Sequence, residues 1–217
     1  MPPGPRPGGP GEEAGRRQAG LVPTENAIAT TKAALRRQMA ERCRRLVAES
    51  GRAAAVALAG HAMAALPDPA GRRIAGYLPL ADEIDPRPLL AALQARGALL
   101  FLPCVEEGDA ALVFRRWEPG DPLLRGVCGN WEPAPDAPTG TPEWIFLPLR
   151  AFDRTGRRLG RGGGYYDRTM ARLRSEGRWL VGLAFADQEV DRVPEEPHDE
   201  RLDAVLTERG LITAAQE

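Results

Sequence analysis

Apolar residues change their spacing several times along this chain, and each change marks an element. From Leu35 through Met39, Cys43, Leu46 and Val47 they recur three or four apart, which places them on one face of a helix. Thr30 or Thr31 is suited to cap its start. A second, alanine-rich helix is predicted in RAAAVALAGHAMAAL, ended by Pro67-Asp68-Pro69. RRIAGYLPL reads as a strand, DPRPLLAALQARG as a helix stopped by Gly97, and ALLFLPCV as another strand. Strand, helix, strand at this spacing predicts a parallel crossover. ALVFRRW adds a strand, and the loop Glu106 to Asp109 before it suits antiparallel pairing.

The stretch from 118 to 142 loses all period and fills with proline and glycine. So long a connection points to a functional or wrapping loop. EWIFLPL returns as a buried strand, YYDRTMARLRSEG as a short helix ending near Gly177, and WLVGLAFA as a strand. A polar loop then leads to a terminal strand or hairpin around Leu202 to Thr207. The predicted fold class is α/β: an open, mostly parallel sheet flanked by helices, with a small antiparallel extension. Residues 1–28, rich in Pro, Gly and charge, cannot bury enough apolar surface to offset ordering entropy and read as a flexible tail. Residues 29–217 then form a single domain.

Composition narrows the class. The formal net charge of the 217 residues is -1, so no large field favours nucleic acid. There is no continuous basic stripe with interleaved aromatics. Cys43, Cys104 and Cys128 form no metal-site spacing and fit a reducing cytoplasm. No apolar run reaches about 18 residues, so no membrane span is expected.

The densest chemistry lies in RLGRGGGYYDR, residues 158 to 168. Gly160, Gly162, Gly163 and Gly164 strip side chains from a loop entering a helix, so backbone N–H groups can approach an anion. Arg158 and Arg161 offer bidentate donors to phosphate. Asp167, in the first helical turn, could hold a divalent ion against phosphate oxygens. The spelling matches neither GxxxxGK[ST] nor GxGxxG, where Tyr165 stands at the last position. A tight turn with Tyr165 and Tyr166 packed as core fits the same letters.

Three further groups flank that loop. Lys32, the sole lysine, and Arg36 stand four apart on one helix face. Bases in a first helical turn oppose the macrodipole and ask for an anion, though two solvated bases would look alike. Asp82, Glu83 and Asp85 follow a strand end, where α/β sheets bind ligands; Asp85 could equally be a helix cap. In PEEPHDERLD, Asp199 could reach a metal, while Asp203 and the glutamates read as surface charge.

In order, Lys32 with LRR at 35 to 37, YLPLADEIDPRPLL, FLPC, FRRWEPGDPL, LPLRAFDRTGRRLGRGGGYYDR and GLAFADQEVDRVPEEPHDERLDAVLTE resemble the 5-formyltetrahydrofolate cyclo-ligase family, also called methenyltetrahydrofolate synthetase. The resemblance spans roughly residues 31 to 208. It implies a Rossmann-like strand order and an enzyme that uses ATP and Mg2+ to convert 5-formyltetrahydrofolate, with or without a polyglutamate tail, into 5,10-methenyltetrahydrofolate. It implies that Lys32 and Arg36 contact ATP phosphates, and that Arg158, Leu159, Gly160, Arg161, Gly162, Gly163, Gly164, Tyr165 and Tyr166 wrap the nucleotide. Of these, Arg158, Arg161, Tyr165 and Tyr166 would act at the reacting centre. Leu78 and Glu83, with Tyr165, would meet the folate, and Asp167 and Asp199 the metal. A cytoplasmic monomer is expected, with neither nucleic acid nor membrane as partner. A non-catalytic nucleotide- or folate-binding protein would carry much the same letters. One departure stands out: where the family often writes PG.GFD or PGVAFD, this chain has PLRAFD, and the bulky Arg150 is expected to reshape the loop there.

Overall fold

The computed structural model describes residues 25–106, 111–127 and 129–215. The tail up to residue 24, the tip of the Glu106–Asp109 loop and Cys128 lie outside them. The first element corrects two expectations. A single helix, α1 (Glu25–Ala65, 41 residues), replaces the two that were predicted, and it begins ahead of both the proposed caps and the proposed domain boundary. Thr30 and Thr31 lie inside it, and their hydroxyls donate to the carbonyls of Asn26 and Ala27 at 2.9 and 2.8 Å. Lys32 is therefore well past the first turn, and the expected conflict with the macrodipole does not arise. Gly51 fails to break the helix. Its penalty of about 1 kcal/mol is overridden by alanines on its C-terminal side and by a buried row at Met39, Cys43, Ala54, Leu58 and Ala62. The helix stops before Pro67, as expected.

The rest alternates as the pattern predicts. β1 (Arg73–Ala75), α2 (Arg87–Ala95) and β2 (Leu99–Val105) form the parallel crossover. Gly97, at φ 87°, takes the left-handed position that ends α2. β3 (Leu112–Arg116) pairs antiparallel with β2. The expected loop contains an unforeseen hairpin, β4 (Leu123–Arg125) and β5 (Trp131–Pro133). β6 (Trp144–Pro148) is followed by a small ribbon, β7 (Ala151–Phe152) with β8 (Arg158–Leu159), also unforeseen. Then come α3 (Tyr165–Leu173), β9 (Trp179–Leu183), β10 (Ala204–Thr207) and β11 (Gly210–Thr213).

Among the described residues the main sheet runs β11-β10-β9-β6-β1-β2-β3. Strands β10, β9, β6, β1 and β2 are parallel, and the two edge strands antiparallel. Side-chain alternation feeds two cores. Leu100, Leu102, Phe146, Val181 and Leu183 face α1 and α2, whereas Phe101, Ile145, Leu147 and Leu180 face Met170 and Leu173 of α3. Helices thus cover both faces, and ligand space is left at the carboxyl ends of the parallel strands, where β1 lies between β6 and β2. None of the described helices is long and apolar enough to cross a membrane.

Candidate active-site cleft

A cleft of about 420 Å³ opens at that point. Tyr77 and Leu78 after β1, Pro103 and Val105 of β2, and Pro148 at the end of β6 line it. The glycine loop lies along one side, the β4–β5 hairpin contributes Asn130 and Trp131, and the N-terminal half of α1 contributes Lys32 and Arg36. All the residues singled out above for nucleotide, folate and metal line this one cleft.

Helix α1 brings its bases in from the side. Met39 packs with Ala151, Leu159 and Val193, and this small cluster sets the helix against the β7–β8 ribbon. Lys32, one helical turn-pair before Met39, is buried at 3% exposure. Its ammonium donates to Glu196 Oε2 at 2.6 Å and, in a shorter contact, to Asp199 Oδ2. Asp199 also accepts the Glu196 N–H at 2.7 Å. Arg36 donates from Nε to the Gly160 carbonyl at 3.1 Å, which tethers the glycine loop to α1.

The loop takes its shape from the ribbon beneath it. Asp153 closes the β7–β8 turn by accepting from the N–H groups of Thr155 and Val193, each at 2.9 Å. Gly156, at φ 82°, lies where a Cβ would collide with the Leu202 carbonyl. Beyond β8 the chain passes Gly162 at φ 103° and Gly164 at φ 68°, left-handed values that favour glycine. α3 then starts at Tyr165 with no side-chain cap, and Tyr165, Tyr166 and Asp167 of its first turn line the cleft.

The cations expected at phosphate are engaged by carboxylates. Arg158 Nη2 donates to Asp167 Oδ1 at 2.5 Å, and that oxygen also accepts the Glu200 N–H at 3.2 Å. The Nε of Arg158 is buried with no hydrogen-bond partner among the described residues. Arg161 turns to the opposite wall, where it donates to Glu83 Oε1 at 2.8 Å and to Asp82. Tyr166 is half-buried against the α3-side core, so core and cleft roles coexist. Its hydroxyl is pushed above the ordinary range by burial first and the Glu83 carboxylate second, with Arg158 pulling the other way. At neutral pH it is a donor rather than a base.

The acids divide differently from expectation. Glu196, His198 and Asp199 offer ligand atoms within 4.8 Å of one another, while Asp167 stands outside that group. The glutamates of PEEPHDE and Asp203 are not idle surface charge. Glu195 joins Arg157 and Arg201, and Asp203 accepts the N–H of buried Leu180 at 2.7 Å. Asp85 is neither the cap nor part of the cleft lining: Pro86 is the N-cap of α2, and Asp85, one residue ahead of it, holds the Arg87 guanidinium and N–H. Among residues the sequence did not single out, Asn130 and Trp131 lie in the long aperiodic connection whose length was the signal.

A family model described as the 5-formyltetrahydrofolate cyclo-ligase family matches residues 28–208. The chain is 32% identical over 151 residues to the 5-formyltetrahydrofolate cyclo-ligase of Haemophilus influenzae, covering 67% of this chain and 81% of that one. It is 36% identical over 152 residues to the protein of that name from Mycolicibacterium smegmatis, covering 65% and 77%. The solved structure of Aquifex aeolicus 5,10-methenyltetrahydrofolate synthetase superposes with a TM-score of 0.70 at 26% identity, over 86% of this chain and 94% of that one.

Proposed function

The chain belongs to the 5-formyltetrahydrofolate cyclo-ligase family, and we propose that it couples ATP hydrolysis to closure of 5-formyltetrahydrofolate into 5,10-methenyltetrahydrofolate. The formyl carbon is a poor electrophile and its oxygen a poor leaving group. In the proposed reaction the formyl oxygen attacks the γ-phosphorus of ATP and ADP departs. N10 then attacks the activated carbon and loses its proton, and the C–O bond breaks to release phosphate. No enzyme nucleophile is needed; the protein aligns oxygen with phosphorus and balances developing charge.

The observation that carries this reading is the convergence of three elements on one cleft: the glycine loop at the start of α3, Lys32 and Arg36 of α1, and the Glu83 loop after β1. In the proposal, loop N–H groups, Lys32, Arg36 and the unpartnered Nε of Arg158 meet phosphate oxygens. Glu83 and Leu78 meet the folate, with Tyr165 and Tyr166 between the two. The carboxylates fit magnesium, which takes hard oxygen ligands. Asp199 and Glu196 already flank the positive charge of Lys32, and Asp167 is the third candidate ligand. Magnesium held there would supply charge neutralisation to the phosphate oxygens. A cytoplasmic monomer acting on mono- or polyglutamylated substrate completes the proposal.

The test follows the near-ultraviolet absorbance of methenyltetrahydrofolate with 5-formyltetrahydrofolate, ATP and magnesium each omitted in turn. The expected result is a rise that needs all three, with one ADP per product. A flat trace from folded protein that still binds both ligands would replace the enzyme with a binding protein.

A further inference from the structure

Arg150, where this chain departs from the family's usual spelling, has a defined place. Its side chain is 9% exposed and its Nη1 lies 2.6 Å from Asp82 Oδ2, a close charge contact without hydrogen-bond geometry. Its backbone is fixed: the N–H donates to the Leu159 carbonyl at 2.7 Å, and the carbonyl accepts from Gln188 Nε2 at 3.1 Å. The other oxygen of Asp82 accepts from Arg161, whose Nε reaches Glu83. The second oxygen of Glu83 accepts the Leu80 N–H at 2.9 Å. A continuous chain therefore runs Arg150, Asp82, Arg161, Glu83, from the buried sheet end to the mouth of the cleft. Arg161 and Glu83 line the cleft, whereas Asp82 and Arg150 do not.

The two ends of that chain differ in freedom. Arg150 is buried and fixed, while Arg161 is 41% exposed on a glycine loop. Any donor group arriving at Glu83 competes with Arg161 for the same carboxylate. Asp82, set back from the cleft, faces no such competitor and keeps its hold on Arg161 when Glu83 is taken. We propose that Asp82, anchored from below by Arg150, is a positioning residue that holds Arg161 and the glycine loop over the cleft while Glu83 turns to the folate. The inference rests on the reading above, in which Glu83 meets folate and the loop meets ATP.

Steady-state kinetics on the full chain test it, with melting temperature read alongside. Asp82→Asn should lower kcat by about 10-fold or more and raise KM for ATP more than KM for 5-formyltetrahydrofolate. Arg161→Met should do the same, and the double variant should be no worse than Arg161→Met alone, because both act through one guanidinium. Arg150→Met should shift kinetics in the same direction to a smaller extent. Should Asp82→Asn fail to fold, because it leaves Arg150 buried without a counter-charge, the pair Asp82→Asn/Arg150→Met takes its place and is combined with Arg161→Met in the same way. Wild-type kinetics in the Asp82 variant, or effects that multiply in the double, would overturn the proposal while leaving the enzyme reading intact. A wild-type chain that forms no methenyl product removes the premise, and the proposal with it.

Discussion

The stretch FDRTGRRLGRGGGYYDR holds two regions of similar spelling and opposite behaviour. In the first, residues 152 to 157, the charges close upon the protein itself. Asp153 accepts from the backbone N–H groups of Thr155, Arg157 and Val193, and Arg157 pairs with Glu195. Nothing there is left for a ligand. In the second, residues 158 to 167, charges face charges across an open cleft: Arg158 with Asp167, Arg161 with Glu83, and Lys32 with Asp199 nearby. The acids of both regions accept backbone N–H groups, and both regions contain buried side chains. They differ in setting: the charges of the first close on the protein and are committed by the fold, whereas those of the second line the cleft. There an arriving ligand can take the place of one charged partner at small net cost, because one charged partner replaces another.

The largest effect should come from the second region. Lys32→Met removes the buried cation between Glu196 and Asp199 and is expected to lower turnover by about 10²-fold or more, while most of the protein still melts cooperatively. Rates normalised to folded protein check it. A variant with near-normal turnover would show that Lys32 belongs with the committed charges of the first region.

Gly156→Ala probes the first region alone. A Cβ at φ 82° would be strained and would strike the Leu202 carbonyl, for a stability loss of about 2 kcal/mol. Urea unfolding should show that loss with kcat per folded molecule preserved. If kcat falls in parallel, the turn and the cleft are one mechanical unit and the contrast between them fails.

The same contrast explains what was legible beforehand. The parallel sheet was readable because Leu100 to Leu102 and Ile145 to Leu147 alternate between two buried faces, a local signal. The glycine loop was readable because few other reasons exist for so much bare backbone beside arginine. The pairings were not readable. Lys32 meets Asp199 across 167 residues of sequence, and Arg161 meets Glu83 across 78. No local rule says that these cations would be held by carboxylates. The β4–β5 hairpin was missed because its strands are three residues long and are fixed by tertiary contacts. Glu132 reaches under it to accept the Val105 N–H and the Asn130 amide at 3.2 and 3.1 Å.

Glu195 sharpens the comparison through pH. Hydrogen bonds from Arg201 first, then Arg157, outweigh its burial and hold its carboxyl near 2 against an ordinary value of 4.5. The fold therefore binds fewer protons than the unfolded chain in that window. Stability from this group is complete above about 4.5 and is lost as pH falls toward 2. Glu195→Gln should lower stability at neutral pH by about 1 kcal/mol, given its partial exposure, and flatten the acid limb between those values. An unchanged acid limb in denaturation midpoints would mean that the pairs with Arg157 and Arg201 are too loosely held to matter.

The smallest effect concerns how Lys32 comes to be placed at all. If α1 began at Thr31, Thr30→Ala would remove a cap, cost about 1 kcal/mol and loosen the turn that carries Lys32. In the observed helix Thr30 is exposed, and its hydroxyl only bonds back to Asn26 within a turn already formed. Thr30→Ala should then change stability by less than about 0.5 kcal/mol and leave KM for ATP untouched. A cost near 1 kcal/mol with a raised KM would mean that local capping positions Lys32. A negligible cost means that its position comes from Met39 against Ala151, Leu159 and Val193. On that outcome the fold places both kinds of charge by burial, and they differ only in which partner each charge meets.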